Sequence, residues 1–250
     1  MKKFQTKKDN EIFSRFEFKY IIKKNVSEAI QNEIKNFTKT DGYANNKSKY
    51  LVRSLYFDNN LFTNFHDKVD GIKKRYKFRI RTYTDHDNLN TPLFLEMKGR
   101  NNLRTYKVRT KINRNDLNLF YEQKNLLNLK HKYLNNKLIE QYIFDSYKKK
   151  IIPKVLIDYN RLPLINKNGL YFRLTFDSNI KACSSNNIFN STNSWKACIS
   201  GNDILEVKFD FTIPPWFHRI IQSYQLKRIS VSKFVLGMEA SNLAHDNEGI

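Results

Sequence analysis

The sequence predicts an α+β fold in which antiparallel β-strands predominate and helices pack on their apolar side. Eight runs of β-favouring residues alternate charged with apolar side chains, and four stretches between them carry apolar residues at helical spacing. The clearest alternation lies between Lys73 and Arg81, where every second residue is a cation, so five positive charges share one face. Such a row is tolerated only where it is solvated or faces strong negative charge.

The eight candidate strands follow one another along most of the chain. Most have a two-residue period, which is typical of strands with one polar and one apolar face. They cover residues 15–20, 52–58, 73–83, 93–98, 105–111, 155–161, 170–177 and 204–210. Their polar faces carry many cations and a few carboxylates, namely Arg15, Glu17, Lys19, Arg75, Lys77, Arg79, Arg81, Glu96, Lys98, Lys107, Arg109, Lys111, Arg173, Asp177, Glu206, Lys208 and Asp210.

Four helices are predicted between the strands. Ser27 is a candidate N-cap for a helix over 28–37, and Asp116 is one for a helix through Tyr121. A third helix is predicted over 134–147, with Pro153 ending it, and a fourth follows Pro214 and Pro215. Each has an apolar stripe that indicates packing against the core.

The composition points to a polyanionic partner. The 250 residues include 45 Lys and Arg against 24 Asp and Glu, a formal net charge of +21. Such a surplus favours nucleic acid, anionic lipid or a phosphate-rich small molecule. A Lys- and Asn-rich composition from an AT-rich genome is the alternative interpretation. It explains lysines in loops, but it does not explain arginines aligned on strands.

Other features limit the class of protein. Cys183 and Cys198 are too few for a disulfide framework and have no zinc-ligand spacing, so two thiols in a reducing compartment are expected. We find no signal peptide and no apolar run near the roughly 20 residues that span a bilayer, which predicts a soluble cytoplasmic protein. We expect a flexible basic tail over 1–10, a single domain over 11–243 and a flexible tail over 244–250.

The polar faces suggest where a ligand would bind. If helices cover the apolar faces, about eight strands closed into a barrel would enclose a lumen for one modest ligand. Arg and Lys suit phosphate oxygens, and the minority of carboxylates suit a hard cation such as Mn²⁺ or Mg²⁺. An open antiparallel sheet with one polar face would give the same pattern, so the alternation alone does not establish closure.

Eight short motifs, in order along the chain, resemble those of the VTC domain family, the polyphosphate polymerase branch of the triphosphate tunnel metalloenzymes. They lie at residues 15–20, 52–58, 77–83, 94–98, 159–161, 173–177, 205–208 with Pro215 and Trp216, and 230–234. The resemblance implies an eight-stranded antiparallel β-barrel with helices packed outside. It also implies a tunnel that holds a triphosphate or a growing polyphosphate.

The resemblance also implies roles for individual residues. Glu206 would ligate the metal with Lys208 beside it, and Glu17 is a second candidate ligand. Glu17 and Glu96 have an alternative role as salt-bridge partners of the cations, and Asp177 and Asp210 are similarly ambiguous. The expected phosphate-binding residues are Lys19, Arg79, Arg81, Lys98, Arg161, Arg173 and Lys233, with Arg15, Lys77, Lys107 and Arg109 as further contacts on the polar faces.

Two departures from the family pattern bear on the reaction. Triphosphatases of this superfamily begin with Glu-x-Glu-x-Lys, but Arg15 replaces the first Glu here, which favours the polymerase branch. Phe234 follows Lys233 where the family commonly has Tyr, which weakens the assignment of Lys233. The expected activity is transfer of the ATP γ-phosphoryl group to polyphosphate.

Two other functions stay open at this point. Water as the acceptor would give an inorganic or nucleoside triphosphatase. A non-catalytic module for polyphosphate or nucleic acid would also suit the charge. However, the aromatic residues alternate onto the face opposite the cations, whereas single-strand binders stack bases on aromatics beside the charge. No specific nucleic acid is therefore expected. The predicted partners are ATP and polyphosphate, with a membrane-protein partner as an open option; the sequence leaves the oligomeric state undetermined.

Overall fold

The computed structural model describes residues 16–41, 49–87, 91–102, 104–168, 171–189 and 194–246. Its strands form one antiparallel sheet. All eight predicted strands are present, and two short ones, β2 and β9, were not predicted. The strands are β1 (Phe16–Lys23), β2 (Thr38–Thr40), β3 (Tyr50–Asp58), β4 (Lys74–Thr82), β5 (Leu93–Asn101), β6 (Arg104–Ile112), β7 (Ile152–Asn166), β8 (Phe172–Ser184), β9 (Lys196–Ala197) and β10 (Asn202–Phe209).

The sheet curls into a barrel that no strand ladder closes within the described residues. Its order is β1-β10-β8-β7-β3-β4-β5-β6, with β2 on β7 and β9 on β8. The two ends of the sheet approach each other: Lys98 Nζ on β5, next to one end, lies 3.7 Å from Glu17 Oε1 on β1, at the other end. We call the face on which these two side chains meet the inner face. The predicted antiparallel barrel is confirmed in outline, but it is open along one side.

A segment after the last strands covers the open edge of β1. Ile229 N–H donates to the Lys19 carbonyl oxygen at 2.9 Å, and Lys19 Nζ donates to the Val231 carbonyl oxygen at 3.3 Å. The first bond satisfies a backbone carbonyl that an edge strand would otherwise expose, and the second ties the Lys19 side chain to the same segment. A crossing segment therefore protects the free edge where a closed barrel would have a strand.

The α-helices of the described residues are α1 (Lys24–Glu33), α2 (Thr63–Val69), α3 (Leu126–Lys132), α4 (Lys137–Lys148), α5 (Pro215–Ser223) and α6 (Lys233–Ala240). Helices α1, α3, α4 and α5 pack against the outer face, where the sequence places helices. One outer cluster joins α3 and α4 to β3–β6 through Tyr142 and Phe78, and another joins α1 and α5 to β1, β8 and β10 through Ile30 and Phe217. Each such buried side chain stabilises the fold by about 1.5–3 kcal/mol. Within the part of the chain that the structure describes, none of the helices has the length and hydropathy of a membrane span.

The predicted N-cap at Ser27 is wrong. α1 begins at Lys24, directly after β1, and Lys24 N–H donates to the Gly201 carbonyl oxygen at 3.0 Å. This contact from the turn before β10 supplies a partner for a terminal N–H, so no side-chain cap is needed at that position. Ser27 is buried within the helix, where its Oγ accepts a bond from Gln31.

The predicted cap at Asp116 is also wrong. Residues 114–120 form a 3₁₀ helix whose cap is Asn113, while Asp116 binds Lys132 and the hydroxyl of Tyr133. The third helix is present as α4. It begins at Lys137 and is capped by Asn136; the predicted start at 134 was three residues early. It ends at Lys148, and Pro153 lies in β7, not at the helix end.

None of α2, α3 and α6 was predicted, and α6 packs on the inner face. Phe234 and Met238 of α6 join Ile157, Ala182 and Ile204 in a third apolar cluster. A Cβ on Gly237 would lie 2.5 Å from Ile157 Cδ1, so glycine permits this close approach. One part of the enclosed space is therefore filled with apolar side chains, and the charged residues occupy the remainder.

The domain limits at 11 and 243 stay predictions, because residues 1–15 and 247–250 lie outside the described residues. Ala244, which the sequence assigns to a flexible tail, is buried in the third cluster with α6. Packed structure therefore continues at least to that residue.

Candidate active site on the inner face

Strand register brings the charges of distant motifs together on the inner face. Lys19 of β1 lies opposite Glu206 of β10, and Glu17 lies opposite Lys208. On the other half of the sheet, Arg79 of β4 lies opposite Glu96 of β5. Arg161 of β7 lies opposite Asp177 of β8. The alternation seen in the sequence thus becomes one lining of charged side chains.

Glu96 organises the first group of cations. Arg79 contacts Glu96 Oε2 through Nε at 2.8 Å and Nη2 at 2.6 Å. Arg81 Nη1 lies 3.8 Å from Oε2, and Lys107 Nζ lies 3.7 Å from Oε1. Burial would raise the pKa of Glu96, but the charges of Arg79, Arg81 and Lys107 hold it well below its usual value. Glu96 is fully buried and holds cations, which supports the salt-bridge interpretation over metal ligation.

Two tyrosines and a serine that sequence reasoning missed orient the same arginines. Arg79 donates to the hydroxyl of Tyr56 at 2.8 Å, and Arg81 donates to Ser54 Oγ at 3.1 Å and to the hydroxyl of Tyr159 at 3.3 Å. Burial would raise the pKa of Tyr56, but Arg79 and Arg81 lower it. The motif at 52–58 contains Ser54 and Tyr56 on one strand face, but only the register with β4 shows which cations they contact.

Asp177 organises a second group. Arg161 forms a fork with it, with Nε at 2.7 Å from Oδ1 and Nη2 at 2.7 Å from Oδ2. Lys233 Nζ lies 2.7 Å from Oδ2. Burial would raise the pKa of Asp177, but Arg161 and Lys233 lower it. These contacts favour the salt-bridge interpretation of Asp177, and α6 brings Lys233 to the inner face although Phe follows it at 234.

Glu17 and Glu206 form the third group. Lys19 Nζ lies 2.9 Å from Glu17 Oε1, and Lys208 Nζ lies 2.7 Å from Glu206 Oε1. Burial and the charge of Glu206 act to raise the pKa of Glu17. The charges of Lys98, Lys19 and Lys208 outweigh both effects and lower this pKa to about 2. Neighbouring cations, Lys208 first, likewise hold the pKa of Glu206 well below its usual value despite its burial. Both carboxylates are therefore ionised at neutral pH.

These two carboxylates fit a divalent cation that also binds a phosphate ligand. The described residues contain no cluster of three or more His, Cys, Asp or Glu side chains that would hold a metal by themselves. Mg²⁺ and Mn²⁺, however, commonly take one or two carboxylates and complete their coordination with water and substrate phosphates. The mutual repulsion of Glu17 and Glu206 and the buried, unpartnered Oγ1 of Thr175, whose residue lies opposite Glu206, are consistent with such a site.

The other predicted residues that the structure describes make no ion pair with these four carboxylates. Arg173 pairs with Asp41 at 3.0 Å, and Lys77 Nζ lies 4.4 Å above the ring of Phe234. Arg109 is exposed on β6, over the ring of Phe94. Arg15 lies outside the described residues, so its predicted role is untested.

The inner face carries more positive than negative charge. Its central residues are the cations Lys19, Lys77, Arg79, Arg81, Lys98, Arg161, Lys208 and Lys233 and the carboxylates Glu17, Glu96, Asp177 and Glu206, a formal surplus of four positive charges when every lysine is protonated. Burial and repulsion among these cations lower the pKa values of two lysines. Burial and neighbouring cations lower the pKa of Lys77 well below its usual value. Glu17 raises the pKa of Lys98, but burial and the charges of Lys19 and Lys208 lower it to about 7. The arrangement therefore favours binding of a compact polyanion.

Two clefts outside the barrel suit this chemistry less well. One of about 500 Å³ lies between α1, β2 and β7 and includes Glu28 and Lys35. The other, of about 550 Å³, lies beside the end of β6 and includes Arg114 and Asp116. Both mix charges at the surface, and neither contains the inner-face arginines. The inner face is the better candidate site.

Comparisons with known proteins agree with this geometry. The model of the family described as VTC domain matches residues 14–242. No curated protein sequence matches the chain. A solved structure from Bacillus halodurans, described as an adenylate cyclase candidate, is 10% identical with a TM-score of 0.52, over 87% of this chain and 93% of that chain. A Hippeastrum protein, described as an adenylyl cyclase candidate with a dominant triphosphatase activity, is 10% identical with a TM-score of 0.50, over 90% of this chain and 97% of that chain. At this identity the structural likenesses support the fold alone.

Proposed function

This chain belongs to the VTC domain family, and we propose that it is a metal-dependent phosphotransferase that adds the γ-phosphoryl group of ATP to polyphosphate. The observation that carries the proposal is the surplus of cations on the inner face, where every carboxylate already contacts a cation. Two polyanions must meet end to end in this reaction, and fixed Arg and Lys side chains offset their repulsion without reorganising.

The groups around the three sets of carboxylates have different roles in the proposal. Phosphate oxygens would bind Lys19, Arg79, Arg81, Lys98, Arg161, Arg173, Lys208 and Lys233. Glu96 and Asp177 position arginines, because each already accepts a fork of short bonds. Glu206 with Glu17 would hold Mn²⁺ or Mg²⁺, which when bound polarises the transferred phosphoryl group. The reaction requires no side-chain nucleophile, because positioning and charge neutralisation supply the catalysis.

A triphosphatase is the second candidate function. It would use the same cations and the same carboxylates, and it differs only in taking water as the acceptor. The exposure of Lys98, about 35% of its side chain, leaves a route for water to this part of the site. Arg15 in place of a carboxylate counts against the hydrolase.

A membrane-protein partner and a cytoplasmic location remain predictions from the sequence.

Product analysis distinguishes these functions. Purified protein given ATP with Mn²⁺ or Mg²⁺, with and without a polyphosphate primer, is expected to make acid-stable polyphosphate. Release of orthophosphate without chain growth would identify a triphosphatase. If neither product forms with any metal or primer while polyphosphate still binds, the protein is a binding module and the enzymatic proposal fails.

The affinity for tripolyphosphate is expected to fall as the pH rises from 7 to 9. Burial and the charges of Arg79, Arg81 and Arg109 lower the pKa of Lys107 to about 8, even though Glu96 raises it. A lysine with a lowered pKa is protonated below that value and loses its charge above it, so the anion loses a cationic contact as the pH rises. Calorimetry across this range should show a weaker dependence in Lys107→Met. Lys111→Met, an exposed lysine of the same strand, is the control. An equal effect of both variants would contradict the assignment.

A further inference from the structure

Three aromatic rings lie together on the inner face. Tyr50 of β3, Tyr83 directly after β4 and Phe94 of β5 form a row, with ring centroids 5.7 Å apart for the first pair and 6.4 Å for the second. Alternation from Tyr56 and from Glu96 puts the first and last of these rings on the charged face. They differ in this from the aromatic residues of β1, β4 and β10, which lie opposite the charges. We call Tyr50, Tyr83 and Phe94 the aromatic rim.

The aromatic rim is only partly buried by the fold. Tyr50 and Tyr83 pack against the third apolar cluster, yet all three rings of the rim stay half-exposed. Neither tyrosine hydroxyl of the rim hydrogen-bonds to another described residue, whereas the hydroxyls of Tyr56 and Tyr159 accept bonds from arginines. Part of each ring is therefore available to a ligand inside a charged site.

The aromatic rim adjoins the cations that the proposed function assigns to phosphates. Phe94 lies directly opposite Arg81. Tyr50 lies directly opposite Arg161. Such pairs have Cβ atoms about 5 Å apart. Burial raises the pKa of Tyr50 although the charges of Arg161 and Arg173 act to lower it, which places both arginines near its hydroxyl. A ligand whose phosphates bind these arginines would bring its next chemical group to the rings.

The separation between the rim and the transfer site suits a nucleotide. Phe94 is two residues from Glu96 on β5, which is about 7 Å along the strand. Glu96 positions Arg79, so a group on the ring of Phe94 would lie about that far from a phosphate on Arg79. The sugar and the first phosphate of a nucleotide lie between its base and its terminal phosphates, and they would occupy this gap.

Arg109 adds a flat, charged surface beside the rim. Its guanidinium carbon lies 4.8 Å from the ring centroid of Phe94, and the residue is exposed on β6. Guanidinium planes and aromatic rings both stack on nucleobases, and this stacking tolerates every base because each has a π-face. Rings beside fixed cations are the combination that binds bases and phosphates together.

We propose that the aromatic rim stacks the base of the nucleoside triphosphate donor while the neighbouring arginines hold its phosphates. The inference rests on the proposed function and assigns the part of the donor that phosphate-binding cations do not recognise. Under this assignment the site distinguishes a nucleotide from an inorganic polyphosphate, because only the nucleotide has a ring that stacks.

Binding of two triphosphates tests the rim without requiring turnover. Calorimetry with Mg²⁺ compares the β,γ-imido analogue of ATP with tripolyphosphate, on wild type, Phe94→Leu and Tyr83→Leu. We expect each variant to lose about tenfold in affinity for the ATP analogue, because leucine fills the space but removes the stacking surface. Affinity for tripolyphosphate should stay within about twofold, because its cationic contacts are unchanged.

Substitutions that keep a ring, and one that removes a distant ring, are the controls. Phe94→Tyr and Tyr83→Phe should keep the affinity for the ATP analogue within about twofold of wild type. Phe144→Leu removes an exposed ring from the outer helix α4 and should change neither affinity. The melting temperature is measured for every variant. If Phe94→Leu does not fold, Tyr83→Leu, which lies beyond the end of β4, provides the same comparison.

The possible results separate this inference from the proposed function. Equal loss of affinity for the ATP analogue and for tripolyphosphate, or no loss for the analogue, overturns the base site and leaves the proposed function standing. If a short single-stranded oligonucleotide binds more tightly than the analogue and loses affinity in the same variants, the rim belongs to a nucleic-acid site and the nucleotide assignment is wrong. If wild type does not bind the analogue, the proposed function fails first.

Discussion

Glu206→Gln is expected to reduce metal-dependent phosphoryl transfer by about 100-fold or more, because it removes the charge that would hold the divalent cation beside the phosphates. Phosphate binding should survive. Glu206 lies among Lys208, Lys19 and Arg161, so replacing its charge makes this part of the site more positive. Tripolyphosphate without metal should therefore bind the variant at least as tightly as the wild type. Steady-state turnover over a range of Mn²⁺ concentrations, together with calorimetry without metal, measures both expectations.

Asp203→Asn is the control for this prediction. Asp203 lies three residues away on β10, but on the opposite face of the strand, and it is similarly buried. A change there tests whether loss of any buried acid on the strand lowers activity. If Glu206→Gln keeps full turnover at all Mn²⁺ concentrations, Glu206 is not a metal ligand. If phosphate binding and turnover fall together, its role is structural.

Arg79→Ala is expected to be the most damaging single change to the inner face, for stability as well as activity. The arginine is the main partner of fully buried Glu96, and it also donates to Tyr56. Removing one partner of a buried ion pair typically costs about 3–5 kcal/mol of unfolding free energy, because the other charge is left uncompensated. Activity should fall about 100-fold or more when a fixed donor to the phosphoryl group is lost.

The pH dependence of the unfolding free energy of Arg79→Ala shows whether the uncompensated charge of Glu96 causes the loss of stability. In wild type the pKa of Glu96 is low, so its favourable contribution is present above the unfolded-state pKa and is lost only in strong acid. In Arg79→Ala, burial should raise that pKa above its unfolded value, so protonation stabilises the variant as the pH falls. Urea unfolding at pH 7 and pH 5 should show a smaller deficit at pH 5.

A second substitution separates stability from catalysis. Adding Glu96→Gln to Arg79→Ala should restore part of the unfolding free energy, since the buried carboxylate charge that lost its main partner is removed, but it should not restore turnover. Lys2→Ala, a change near the beginning of the chain, serves as a control for total charge. Equal effects of Arg79→Ala and Lys2→Ala on activity would mean that the cations act only as bulk charge.

The arginines show what a sequence pattern can predict about the role of a residue. Arg53 and Arg79 both lie on strands, and both are buried with a carboxylate partner. Alternation from Tyr56 puts Arg53 on the opposite face of β3, where it binds Asp158 and the carbonyl oxygens of Asp85 and Ile188. Arg79 lies in a row of alternating cations and Arg53 does not. That difference is visible in the sequence and is the basis on which Arg79, and not Arg53, is predicted as a site residue.

The roles of the carboxylates, in contrast, cannot be predicted from the sequence pattern. From the sequence, Glu17, Glu96 and Asp177 had two interpretations each, and no local feature distinguishes them. In the structure Arg79 and Arg161 form short bonds to Glu96 and Asp177, which favours a positioning role for these two carboxylates. Glu17 instead contacts lysines and lies beside Glu206. Likewise, Tyr56 and Tyr159 could not be assigned, since their contacts depend on strands that are distant in the chain.

The sequence by itself determined the strands, the sign of the charge on their faces and the outer position of most helices. These follow from a two-residue or 3.6-residue period, which is a local property of the chain. The tertiary structure alone decided which cation meets which carboxylate, that α6 fills part of the enclosed space, and that a crossing segment covers β1. Those features depend on strand register and on the packing of residues far apart in sequence, where many pairings would satisfy the same local periods.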